Sequence, residues 1–178
     1  MFSPPIRPLL AALLLTTSAL YANPGDTDTP QPVQLPPPES LPAASLTLHT
    51  SQGPVRLSFS ELEQLPTYQV TTTTFWPEDD GSYAGPLLAD LLKQGGLEQS
   101  SAIRVRARDG FSQVIPRQDW ERWPMLLATR RDGQVMSTRN KGPYRIIYPR
   151  NLSPELAEPI YRLRWVWLVQ SIAVEPGL

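Results

Sequence analysis

Seven prolines fall between positions 24 and 42 (Pro24, Pro30, Pro32, Pro36, Pro37, Pro38 and Pro42), set among Asp, Thr, Gln and Ser. Each proline ring removes a backbone donor and fixes φ, and the stretch has too little apolar surface to offset the entropy of folding. Residues 23–44 therefore read as an extended, partly polyproline-like linker. This confines the core to residues 45–178 of a 178-residue chain, a length that suits one domain. Upstream, Arg7 precedes the apolar run Leu9 to Leu15, and small residues follow as far as Ala22. A basic start, a short apolar segment and small residues before a break read as a secretory signal peptide over residues 1–22, cleaved after Ala19 or Ala22. The run is shorter than the ~20 residues that a spanning helix needs. The expected order is a cleaved leader, a linker and one domain released into the periplasm.

The sequence contains no cysteine and a single histidine, His49. That excludes disulfides, a lipid-modified amino terminus, thiol nucleophiles, thiolate metal ligands and zinc sites of the Cys/His kind. An exported domain of this type has to be held by its core alone. The formal net charge is −1, yet the signs are segregated: residues 23–100 carry two basic and ten acidic side chains, residues 101–165 thirteen basic and six acidic. The second half predicts a positively charged face or cleft. Outside the cytoplasm no nucleic acid is expected, which leaves an anionic or electron-rich small ligand, or an acidic protein face.

The pattern of the domain is mostly β. Leu46 to His49 and Pro54 to Leu57 predict two strands around the turn Ser51-Gln52-Gly53, and Ser60-Glu61-Leu62-Glu63 predicts a capping box opening a short helix. Tyr68 to Phe75 predicts a threonine-rich strand with one face toward water or a pocket. Trp76 to Gly85 reads as a loop, Pro86 as a helix start, Leu87, Leu88, Leu91 and Leu92 as one apolar helix face, and Gly95-Gly96 as its stop. Residues 103–108 and 111–115 predict a hairpin whose first strand places Arg104, Arg106 and Arg108 on one face. Short strands are also expected at 124–129, 144–148 and 166–174, with a helical turn near 118–123 and another capped by Ser153. Strands outnumber helices and no βαβ rhythm occurs, so the class is α+β, mostly β.

No Ser-His-Asp order, phosphate-loop glycine pattern or metal-ligand spacing is present. The cluster Glu78-Asp79-Asp80 reads as a solvated loop, with cation binding as the alternative. The aromatic and basic residues are richer: Trp76 and Tyr83 bracket that loop, and Arg139, Lys141, Arg145, Arg164, Trp165 and Trp167 crowd the last third. Flat aromatic and guanidinium faces bind planar heterocycles by stacking, with a few donors and acceptors fixed at the ring edge. Trp167 taken singly reads as a packed core residue.

The segments Thr72-Thr73-Thr74-Phe75-Trp76, Tyr83 to Leu92, Ala128 to Met136, Arg139-Asn140-Lys141-Gly142-Pro143, Ile147-Tyr148-Pro149 and Arg164-Trp165-Val166-Trp167 occur in that order. Together they resemble the sulfite-oxidase-type molybdopterin-binding domain, which implies its mixed-sheet fold with a few short helices over residues 45–178. Enzymes of that family hold molybdenum through one cysteine thiolate, and the corresponding place falls at about Thr72. A threonine hydroxyl does not replace a thiolate on molybdenum, so neither molybdenum nor catalysis is expected. The short periplasmic chains resembling the PruR-like pterin-binding response proteins match better. That resemblance implies a reduced pterin as ligand. As partner it implies the periplasmic domain of an inner-membrane diguanylate cyclase or phosphodiesterase controlling cyclic di-GMP, or a sensor kinase. The site residues it implies are Thr72, Thr74, Trp76, Arg108, Arg139, Lys141, Arg164 and Trp165, with Asp109 as partner for the pterin's amino-pyrimidinone edge. Two alternatives stand beside it: a subunit of a molybdopterin-dependent oxidoreductase, and a ligand-free protein-interaction module.

Overall fold

A computed structural model describes residues 28–176; the leader expected at 1–22 and its two cleavage points lie outside the described residues. In chain order the strands of the first half are β1 (Gln31–Pro32), β2 (Ser45–Thr50), β3 (Gly53–Ser58), β4 (Thr67–Thr72) and β5 (Gly81–Pro86). Those of the second half are β6 (Ala102–Ala107), β7 (Ser112–Pro116), β8 (Leu126–Ala128), β9 (Arg130–Arg131), β10 (Gln134–Val135), β11 (Arg145–Ile147) and β12 (Val169–Val174). Four short helices join them: α1 (Phe59–Glu63), α2 (Leu88–Gln94), α3 (Arg117–Arg122) and α4 (Pro159–Arg162). The protein is α+β and mostly β, with mixed sheets. Among the described residues no helix is long and apolar enough to cross a membrane.

One sheet has the order β3-β2-β12-β6-β7 and the other β1-β4-β5-β9-β10, while β11 and β8 form a two-stranded ribbon. In the first sheet β12 lies in the middle, parallel to β2 and antiparallel to β6. Alternation decides its faces: Leu46 and Leu48 of β2, Ile103 and Val105 of β6 and Ile172 of β12 are buried, while Arg106 points to solvent. The ribbon supplies Leu126, Leu127, Ile146 and Ile147 to the same core, and α2 adds Leu88, Leu91 and Leu92. Burying such side chains contributes about 1.5–3 kcal/mol each, enough for a cysteine-free core to hold.

Three elements differ from the sequence expectation. The capping box forms two residues earlier: Ser58 caps α1, its hydroxyl accepting from the Glu61 backbone N–H while the Glu61 carboxylate accepts from the Ser58 N–H. Both Ser58 and Ser60 begin a Ser-x-x-Glu sequence, and the extended backbone of Ser58 at the end of β3 selects the first. The stretch read as a loop up to Gly85 contains β5, and Pro86 ends that strand instead of opening α2. Tertiary approach overrides the poor strand propensity of Gly-Ser-Tyr-Ala-Gly-Pro. A Cβ at Gly85 would sit 2.1 Å from the Leu127 carbonyl oxygen, so only glycine lets β5 lie this close to β8. Finally, within the proline-rich segment Gln31 and Pro32 pair with Gln69 and Tyr68 at the edge of β4, followed by a 2.9 Å bond from Val33 N–H to the Thr67 carbonyl.

Candidate ligand-binding site

Where the ends of several elements meet, Trp76, Asp109, Phe111, Arg162, Leu163, Trp165 and Trp167 line a cavity of about 240 Å³. Trp76 follows β4 and caps a single 3-10 turn at Pro77–Asp79. Asp109 and Phe111 come from the tight turn between β6 and β7, where Gly110 takes a φ of +92°. Arg162 and Leu163 end α4, and the two remaining tryptophans lie on the segment leading into β12. The indoles of Trp76 and Trp167 meet at 66° with centroids 4.6 Å apart. Phe75 stands edge-on to both Trp76 and Trp165, which is stacked on Tyr148 in turn. The indole N–H groups of Trp165 and Trp167 are buried and lack an acceptor among the described residues.

Two polar clusters hold this aromatic wall in place. In the first, the Thr72 hydroxyl accepts from the Arg150 backbone N–H at 2.9 Å and donates to the Thr73 carbonyl. The Thr74 hydroxyl donates to the Trp76 carbonyl at 2.6 Å and accepts from the Trp76 N–H, while the Thr74 N–H donates to Asp80. The loop carrying Trp76 is thus stapled at both ends. In the second, Asp79 is 5% exposed and its carboxylate receives Lys141, Arg131 and the fully buried Arg145. Tyr83 donates to the Asp79 carbonyl and accepts from Arg145. Burial raises the Tyr83 pKa, an effect partly countered by the Arg145 and Arg131 guanidinium groups. Lys141 sits in the left-handed region at φ 64°, and its ammonium reaches from Asp79 to a point 4.1 Å from the Trp167 ring centre and 5.6 Å from that of Trp76.

The structure therefore brings Trp76, Trp165 and Asp109 to one cavity, with Lys141 beneath the indoles and Thr72 and Thr74 fixing the loop. It does not bring Arg108, Arg139 or Arg164 there. Arg108 borders a separate small recess with Ala43, Ala44 and Tyr144. Arg139 is exposed on a 3-10 turn, Thr138–Asn140. Arg164 is bound to the buried Asp119 at 2.8 Å, which also accepts from Tyr148. The expectation of a solvated acidic loop is corrected for Asp79, because three cations converge on it from β9, β11 and the turn before β11. Sequence reasoning missed Phe111, Arg162 and Leu163 as lining residues, and Trp167, read singly as packed core, is half-buried and lines the cavity. For Arg162 and Leu163 the one visible signal is the mixture Ile160-Tyr161-Arg162-Leu163 after Pro159, which lacks the spacing of a buried helix face.

The donor set near Thr72 does not suit a thiolate-held molybdenum. Its hydroxyl is engaged in both hydrogen-bonding roles, and the sequence has no cysteine to supply a thiolate. Among the described residues no group of three His, Cys, Asp or Glu side chains is placed to hold a metal ion.

No family model matches the sequence. The chain is similar to the uncharacterized oxidoreductase YuiH of Bacillus subtilis (strain 168), with 24% identity over 101 residues. The similarity covers 54% of this chain and 51% of that protein, so the chain spans about half the length of the curated relative it matches.

Proposed function

We propose that this chain is a non-catalytic periplasmic protein that binds a reduced pterin, on a fold of the sulfite-oxidase type. The observation that carries the reading is the cavity of about 240 Å³ walled by three tryptophans with a carboxylate and a guanidinium among its lining. Pockets for drug-sized ligands run from about 300 to 1,000 Å³, so this one suits a single small bicycle. Indole faces supply stacking area, and the two charged groups supply the few polar contacts that orient a heterocycle. In this reading occupancy is relayed to the periplasmic domain of an inner-membrane diguanylate cyclase, phosphodiesterase or sensor kinase. The position of the exposed Leu163 at the cavity rim and of Ile160 one turn away supports such a relay, since a ligand covers part of the same surface.

The test is mass analysis of the small molecule released from protein purified under reducing conditions from its native periplasm, together with calorimetric titration of the emptied protein with reduced pterins. A pterin at near-stoichiometric amount without molybdenum is the expected result. No bound pterin and no binding of added pterins would overturn the reading.

A second reading is favoured by the similarity to a protein named an oxidoreductase: the chain holds molybdopterin as a subunit of such an enzyme. Metal analysis separates the two, because that subunit carries molybdenum and the binding protein does not. A protein-interaction module without ligand is the third outcome, marked by partner binding that survives Trp76→Ala.

A further inference from the structure

Arg162 differs from the other cations around the tryptophans. Lys141 and Arg131 are paired with Asp79, and Arg164 with Asp119. Arg162 lines the cavity with its guanidinium 5.6 Å from the Trp76 ring centre, and among the described residues it has neither a hydrogen bond nor an ion pair. Asp109 lines the same cavity. One of its oxygens accepts from the Phe111 N–H at 3.0 Å in a local turn, and the other has no partner among the described residues. The two opposite charges line one recess without forming an ion pair, Asp109 on its hairpin turn and Arg162 at the end of α4.

We infer that Asp109 and Arg162 form a two-point reader that selects a 2-amino-4-oxo pyrimidine ring over its 2,4-dioxo counterpart. The inference rests on the proposed pterin binding and adds the specificity of that site. In the amino-oxo ring the exocyclic amine and the neighbouring N3–H are parallel donors, which match the acceptor pair of a carboxylate. The C4 oxygen is an acceptor, which matches a guanidinium. Replacing the amine by a second oxygen points lone pairs at Asp109, so a donor is lost and a repulsion gained. Arg162 meets the C4 oxygen in both rings, and therefore contributes affinity without choosing between them. The stacking on Trp76 is likewise common to both.

The test is calorimetric titration, under reducing conditions, with the reduced forms of pterin and of lumazine, the amino-oxo and dioxo versions of one pteridine ring in the same oxidation state. The wild-type protein is expected to prefer pterin by roughly tenfold or more, the worth of one charged hydrogen bond. Asp109→Asn keeps an acceptor for the Phe111 N–H, so the turn is retained, and brings the preference close to one. Arg162→Gln, at an exposed position, weakens both ligands alike and leaves the preference standing. Equal binding of both rings by the wild type, or an unchanged preference in Asp109→Asn, overturns the inference while pterin binding itself stands. Failure of both rings to bind overturns the proposed function and the inference with it.

Discussion

Two aspartates thirty positions apart in the sequence behave in opposite ways. Asp79 is buried under three cations, and its backbone carbonyl is also engaged by Tyr83. Asp109 is exposed at a hairpin turn and holds only its own local N–H. The first is an internal fastener for the loop that carries Trp76; the second leaves its charge free at the cavity. The same division separates Arg145 and Arg164, which are tied to carboxylates, from Arg162, which is not. Charges that hold this fold have carboxylate or guanidinium partners, whereas Asp109 and Arg162 line one recess without an ion pair.

The comparison can be broken by substitution. Asp79→Ala strands the fully buried Arg145 beside Lys141 and Arg131, and is expected to destabilise the fold by about 3–5 kcal/mol, read from the urea midpoint. An unchanged midpoint would show that the cluster is not a fastener. Arg164→Gln leaves Asp119 buried with only Tyr148, and should cost about 3 kcal/mol without altering pterin affinity in the protein that remains folded. Loss of affinity at normal stability would place Arg164 back in the site. Trp76→Ala should weaken pterin binding by roughly ten- to a hundredfold, the worth of about 1–3 kcal/mol for stacking a heterocycle.

Alkaline titration sharpens the same contrast through the tyrosines. Burial raises the pKa of Tyr83, Tyr144 and Tyr148, with the Asp119 carboxylate adding to the effect at Tyr148. Because the folded values lie above the unfolded ones, their contribution is fully present below pH of about 10 and is lost as pH rises toward the folded values. Phenolate absorbance from these three should therefore appear with unfolding; a simple titration at the ordinary value would contradict their burial. The smallest effect is expected from Arg162→Gln, which should change stability by no more than about 0.5 kcal/mol, read as a melting shift.

Much of the fold was legible because alternation and turn chemistry are local. The hairpin of β6 and β7, the stop of α2 at Gly95-Gly96 and the pair β2–β3 follow directly from residues close in sequence. β5 was not legible, since Gly81 to Pro86 has poor strand propensity and becomes a strand by pairing with β4 along its length and with β9 at Tyr83 and Ala84, over forty positions later. The site was legible by residue type more than by place. Trp76, Trp165 and Asp109 do share a cavity, but alternation could not tell that Arg164 turns inward to Asp119 while Arg162, two residues earlier, lies over Trp76. Nor could an acidic run reveal which of its members is buried, because the three cations that cover Asp79 arrive from β9, β11 and the turn before it.

The central place of β12 has a temporal consequence. Its neighbours β2 and β6 cannot be joined until the last strand is available, so the sheet that contains them stays split until then. Apolar faces of β2 and β6 are left without their cover throughout that interval. Maturation of this sheet therefore waits for its last strand: it closes only once residues 169–174 are available, and a chain stopped short of them lacks the middle of the sheet, not merely its tail.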